Sequence, residues 1–234
     1  MESLLRRLKF YGIGFGLGLV FIFFFFQNRG CSWLPGNRVK NSILDRVLVV
    51  SDDVKVEMDK LNINNDQLIE ALNTGDILFS ESDKGEKTKC YIIESGGIKY
   101  GFTLPVESFV SEVFVANQTT NFRITKEGFG DFIRFPMDDD LVYIDTNKLV
   151  ACQQELLEVE SAKEILALIL KNGRINFAES DFSVEPKAEH IIEFYKGEQQ
   201  IKANTIWYKN KLDILNFEFS GSDTCDVSSL KVTE

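Results

Sequence analysis

Residues 75–83 read GDILFSESD and residues 173–181 read GRINFAESD, so the chain repeats a nine-residue stretch with six identical positions. Each copy follows a stretch of helical periodicity that ends at a glycine, Gly75 in the first copy and Gly173 in the second. Each copy precedes two extended segments around a tight turn, which contains Gly96 and Gly97 or Gly197. The pattern predicts a helix, a strand and a hairpin in each copy.

This repeat predicts an α+β fold class, with two tandem helix-plus-antiparallel-sheet modules that each have a small core. Within the repeated strands, Ile77 and Phe79 in the first copy and Ile175 and Phe177 in the second alternate with polar residues. This alternation predicts that all four face a core. The predicted divisions are a signal anchor (1–29), a tether (30–44), module 1 (45–118), connecting strands (119–139), module 2 (140–220) and a C-terminal tail (221–234).

The N-terminal segment predicts a transmembrane helix. Residues 10–26 read FYGIGFGLGLVFIFFFF and carry no charge, and as a helix they would span roughly 25 Å. Basic residues precede this stretch, which favours a single-pass signal anchor in a bacterial inner membrane, with the N-terminus cytoplasmic and the remainder extracytoplasmic. A cleaved signal peptide is the alternative, although residues 27–31, QNRGC, contain no small-residue cleavage site.

Four glycines in that segment form two small-xxx-small pairs: Gly12, Gly14, Gly16 and Gly18. Such spacing lets two helices approach closely, so the segment is a candidate for a homodimer contact within the lipid bilayer. Glycine is also common in membrane helices without this role. The same glycines are no dinucleotide fingerprint, because no strand precedes them.

The end of each repeated strand is a candidate polar site. Its members are the identical acidic and hydroxyl residues of the two copies: Glu81, Ser82 and Asp83, and Glu179, Ser180 and Asp181. The alternative is a strand-ending turn in which the Ser and Asp side chains bond to nearby backbone groups. The turn is the favoured interpretation.

Composition excludes several classes of function. The net charge is −10, which disfavours nucleic acid as a partner. A single histidine, His190, excludes a His-rich metal site, and we expect it to have a structural role in a strand. The acidic run at 138–140 lacks the spacing of a calcium loop and is expected to be solvated. No metal and no cofactor is predicted.

The four cysteines, Cys31, Cys90, Cys152 and Cys225, have no CxxC spacing, so a zinc site is not expected. In an oxidising compartment they would form disulfides, and the predicted pairs are Cys31–Cys90 and Cys152–Cys225, one in each module. The alternatives are buried unpaired thiols, or an intermolecular bond through Cys31.

The stretch CSWLPGNRV at 31–39, the helix that ends at Gly75 and the strand GDILFSES resemble bacterial membrane-anchored proteins of a domain family of unknown function. That family is distantly similar to the BrnT and RelE ribonuclease toxins. The resemblance covers residues 1–118, reaches the second copy through the repeat, and implies a compact helix-plus-antiparallel-sheet module. Soluble relatives often have a His and an Arg in the first helix, where this chain has Asp52, Asp53 and Lys55, so ribonuclease activity is not implied.

These features predict a non-enzymatic envelope protein that binds or scaffolds another envelope protein through an acidic extracytoplasmic region. The alternative is a diverged nuclease or other hydrolase in which Glu and Asp carry the chemistry. A shared acidic cleft in the two copies would favour the hydrolase, whereas a turn held by backbone hydrogen bonds would count against it. A ligand or metal sensor is a third hypothesis, which residues 138–140 would support only if calcium raised the melting temperature of the protein.

Overall fold

The computed structural model describes residues 2–27, 34–116, 125–136, 142–144, 148–182, 184–208, 211–219 and 225. Two compact units are present, Met1–Asn41 and Ser42–Glu234. The first contains one long helix, and the second contains every strand. The candidate residues at 138–140 and Cys31 lie outside the described residues.

Six helices and eleven strands form in the described residues. The helices are α1 (Glu2–Gln27), α2 (Pro35–Leu44), α3 (Asp52–Lys60), α4 (Asn65–Thr74), α5 (Lys148–Leu156) and α6 (Ala162–Asn172). The strands are β1 (Val47–Ser51), β2 (Asp76–Ile77), β3 (Thr88–Ser95), β4 (Ile98–Pro105), β5 (Val110–Val115), β6 (Phe129–Arg134), β7 (Val142–Ile144), β8 (Arg174–Asp181), β9 (Glu189–Lys196), β10 (Gln199–Tyr208) and β11 (Lys211–Phe219).

All strands belong to one mostly antiparallel sheet with the order β2-β3-β4-β5-β1-β6-β8-β9-β10-β11-β7. The first half, from β1 to β5, and the second half, from β7 to β11, each run strand, helix, helix and four strands. In each half the last strand returns to pair in parallel with the first, β5 with β1 and β11 with β7. The predicted arrangement as two tandem modules is wrong, because β6 joins both halves into one sheet.

Strand β6 also reverses the second half relative to the first. It pairs antiparallel with both β1 and β8, so β8 runs opposite to β2, the strand at the same place in the first half. Because the order of strands is kept while their direction is reversed, equivalent residues of the two halves point to opposite faces of the sheet.

The helices follow this reversal. Helix α3 packs on one face, where its Lys55 bonds to Asp131 on β6 and its Asp52 bonds to Arg174 on β8. We call this the convex face. Residues of α5 and α6 pack on the other, concave face, in one core cluster with Val49 on β1 and Ile175 on β8. Helix α3 of the first half therefore leaves the concave face uncovered.

Burial corrects part of the predicted core. Ile175 and Phe177 are buried in the central strand β8, as predicted. Phe79 is 40% exposed, because β2 has only two residues and lies at the edge of the sheet. Its ring instead meets the ring of Tyr91 at a centroid distance of 6.4 Å.

The predicted transmembrane helix is wrong. Glu2–Gln27 is a single helix, but no helix in the described part of the chain is long and apolar enough to cross a membrane. The same finding contradicts the signal anchor, the inner-membrane placement and the extracytoplasmic region predicted from it. Helix pairing through Gly12, Gly14, Gly16 and Gly18 stays a prediction.

The cysteines divide into a bonded pair and a free thiol. Cys152 on α5 forms a disulfide with Cys225, as expected for the second half. Cys90 on β3 is free and buried, which is against the predicted bond to Cys31. Burial raises the pKa of the Cys90 thiol, so this sulfur stays protonated and unreactive in the folded chain.

Candidate functional site: a cavity on the concave face

A cavity of about 530 Å³ lies on the concave face, between strands of the two halves. Strands β3, β4 and β5 supply one wall, and the end of β8 with Phe182 supplies the other. These walls are separated in the sheet by β1 and β6, so the sheet must bend for them to face each other. A cavity of this volume is in the range that holds small molecules.

The loop between β4 and β5 keeps the sheet bent. The backbone N–H of Phe109 donates to the carbonyl of Trp207 at 3.2 Å, and the N–H of Ala188 donates to the carbonyl of Glu107 at 3.1 Å. The guanidinium of Arg46 donates to the carbonyls of Pro105 and Ser108 at 2.8 and 2.5 Å, and burial lowers its pKa to about 10. One loop of the first half is thus bonded to β10 and to the start of β9.

The same loop contributes a buried serine–histidine contact. Ser108 Oγ lies 2.7 Å from His190 Nε2, and it also accepts a hydrogen bond from the N–H of Val110 at 3.1 Å. Both side chains are buried, and His190 Nδ1 has no hydrogen-bond partner in the described part of the chain. A catalytic dyad needs access to substrate and a group that orients the imidazole. This contact has neither, so it is a structural bond.

Glu112 is the carboxylate at the cavity that is most withdrawn from solvent. It lies in the middle of β5 and is 6% exposed. Its Oε2 accepts from the backbone N–H of Thr125 at 3.1 Å, its Oε1 accepts from the Thr125 hydroxyl, and its own N–H donates to Thr103 Oγ1 at 2.8 Å. Burial raises the pKa of Glu112, and the two bonds from Thr125 oppose that shift. No Lys or Arg among the described residues forms an ion pair with it.

The repeated serines have one structural role in both halves. Ser82 Oγ donates to the carbonyl of Leu78 at 2.8 Å and accepts from the N–H of Ile92 at 3.0 Å. Ser180 Oγ donates to the carbonyl of Asn176 at 2.5 Å and accepts from the N–H of Ile191 at 2.9 Å. All four partners are backbone groups. These bonds support the strand-ending turn rather than a reactive serine.

The repeated acidic residues are also engaged locally. Glu81 forms an ion pair with Lys99 at 2.7 Å, and Glu179 forms one with Lys202 at 2.6 Å. Asp83 pairs through its backbone with Cys90, and Asp181 pairs with Glu189. Of the six predicted site residues, only Ser180 and Asp181 line the cavity. The two copies therefore form no shared acidic cleft.

Two central residues of this site, Glu112 and Thr125, are not evident from the sequence. Glu112 appears in the stretch VSEVFV, which predicts an ordinary strand with two adjacent polar residues, Ser111 and Glu112. Its partner Thr125 is 13 positions away, and the cavity requires β8 to face β5 across the sheet. The one available signal was a carboxylate in a strand whose other residues, apart from Ser111, are apolar.

Neither the chemistry nor the comparisons assign a known class. In the described residues no group of three or more His, Cys, Asp or Glu side chains could hold a metal ion. No protein-family model, curated protein or solved structure matches this chain. The resemblance to the membrane-anchored family and to the BrnT and RelE toxins therefore stays a prediction.

Proposed function

We propose that this chain is a non-enzymatic binding protein that holds a small molecule in the cavity on its concave face. The observation that carries the proposal is the cavity itself, which has a volume of about 530 Å³ and is lined by both apolar and charged side chains. Val110 and Phe177 contribute buried apolar surface, and Phe182 adds a further ring. The sequence predicts another protein as the partner, and this proposal instead places a small molecule in the cavity.

Three features support binding over catalysis. The repeated serines bond to backbone groups, and the repeated glutamates are paired with lysines. The Ser108–His190 contact is closed to substrate. The cavity carboxylate Glu112 accepts two hydrogen bonds from Thr125, which hold it in place. A hydrolase would need a general acid or base beside a nucleophile or an activated water, and these contacts favour none.

The test is binding of Nile red, a neutral dye whose fluorescence rises in apolar surroundings. Two exposed valines offer a matched pair of variants, since Val106 lines the cavity and is 59% exposed, while Val56 lies on α3 and is 53% exposed. We expect Val106→Trp to fill part of the cavity and weaken binding roughly tenfold or more. The Val56→Trp variant should bind Nile red as tightly as the wild type. Absence of saturable binding, or equal binding by both variants, would reject the proposal.

A further inference from the structure

The charges around the cavity are unbalanced. Two lysines line it, Lys87 and Lys126, and the carboxylates outnumber them. The acidic residues of the lining are Glu86, Glu107, Glu112, Asp181 and Glu185. Lys87 lies 3.8 Å from Glu185, and both side chains are largely exposed, so this pair belongs to the rim. A cavity lined mainly by one sign of charge attracts a ligand of the other sign.

Glu112 makes this attraction specific. It is a buried carboxylate with no cationic partner in the described residues, and desolvation without a counter-charge is costly for an ionised group. A carboxylate offers about four acceptor positions, and Thr125 occupies two of them. The remaining positions can accept hydrogen bonds from a donor that enters the cavity. A cation there would supply both the missing charge and the missing donors.

The apolar surface beside Glu112 limits the size and chemistry of that cation. Val110 is two positions before Glu112 on the same strand and points to the same face. Phe177 and Phe182 lie on the opposite wall of the cavity, and their ring centroids are 5.9 Å apart. A ligand that pairs with Glu112 therefore rests its remaining atoms on apolar side chains, which a bare metal ion would not do.

We infer that the cavity binds an organic amine, whose ammonium group pairs with Glu112 and whose hydrocarbon part packs on Val110, Phe177 and Phe182. This inference rests on the proposed function, because it names the ligand class for the same cavity. It assigns Glu112 the role of a binding residue that selects charge, and it assigns Thr125 the role of positioning both carboxylate oxygens.

Competition against bound Nile red tests the inference with three probes of equal chain length: octylamine, octanol and octanoate. At neutral pH we expect octylamine to displace the dye at a concentration roughly tenfold lower than octanol, with octanoate the weakest. Glu112→Gln should remove the preference for octylamine over octanol, so that the two probes displace the dye at similar concentrations. Glu198→Gln, which removes an exposed carboxylate that does not line the cavity, should leave the preference in place.

The outcomes separate the inference from the proposed function. If Nile red binding is sensitive to Val106→Trp but octylamine and octanol compete equally, the cavity binds ligands and the amine inference is overturned. If Nile red binding does not respond to Val106→Trp, the proposed function itself fails. If Glu112→Gln does not fold, the test rests on the native chain alone. The quantity compared is then the concentration at which octylamine displaces the dye relative to that of octanol, and a ratio near one overturns the inference.

Discussion

Ser108 and His190 join the two halves of the sheet inside the protein, with Ser108 Oγ 2.7 Å from His190 Nε2 and both side chains buried. Phe182, which lines the cavity, packs edge-on against the imidazole at a centroid distance of 5.1 Å. The contact therefore links the loop that bends the sheet to the wall of the cavity.

This contact predicts acid sensitivity. Burial lowers the pKa of His190 to about 4, from 6.5 in an unfolded chain. As the pH falls from 6.5 towards 4, the unfolded chain takes up a proton on this residue and the folded chain does not, so stability is lost. We expect His190 to contribute about 3 kcal/mol to that loss, since one pKa unit corresponds to about 1.4 kcal/mol. Urea unfolding between pH 7 and 4 measures it.

The control for the acid prediction is His190→Gln. This variant has no imidazole to titrate, so its free energy of unfolding should fall less steeply over the same pH range. Identical slopes in the two proteins would show that the loss comes from other groups.

The repeated serines predict matched losses of stability. Replacing Ser82 or Ser180 by alanine leaves the N–H of Ile92 or Ile191 without its acceptor. Each substitution should lower the free energy of unfolding by about 1–3 kcal/mol. Ser80, an exposed neighbour, provides the control, and Ser80→Ala should stay within about 0.5 kcal/mol of the wild type. A reactive serine would instead show its loss in activity, with little change in stability.

The disulfide predicts a redox-dependent melting temperature. Cys152 and Cys225 close a loop with a sequence separation of 73, for which restriction of the unfolded chain contributes about 4 kcal/mol. Reduction should therefore lower the Tm of the wild type, as measured by calorimetry with and without reductant. The Cys152→Ser variant should melt at the same temperature as the reduced wild type, and reductant should not change its Tm. Equal melting of oxidised and reduced wild type would contradict this account.

The contact between Gly101 and Phe114 predicts a specific steric cost. A Cβ on Gly101 would overlap the ring of Phe114, which lies over this glycine from the neighbouring strand. Gly101→Ala should destabilise the fold by about 1–3 kcal/mol through overpacking. The double variant with Phe114→Leu should recover part of that loss, whereas additive losses would exclude a direct clash.

Local structure was predictable from the sequence because it depends on local patterns. The helix that ends at Gly75, the helix that ends at Gly173 and the hairpin around Gly96 and Gly97 all form where their periodicity and glycines indicate. The serine turns follow from the preference of Ser for bonds to nearby backbone groups. His190 likewise lies in a strand.

The sequence correctly predicted the burial of the phenylalanine in only one of the two repeated stretches. Residues 75–83 and 173–181 share a pattern, yet Phe79 lies at an edge of the sheet and Phe177 near its centre. Which strand is central depends on pairing between distant parts of the chain, and the nine residues carry no information about it. The cavity was unpredictable for the same reason, because Glu112 and Phe177 come together only when the sheet bends.

The number of strands between the halves has a consequence of its own, because its parity decides which faces the helices cover. With the single spacer β6, the halves are inverted, and α3 lies on the opposite face from α5 and α6. With no spacer, or with two antiparallel spacers, both helix pairs would cover one face, and the other face would be bare along the whole sheet. An odd number of spacer strands thus gives each half a helical layer on a different face. It also leaves the concave face of the first half open to a ligand.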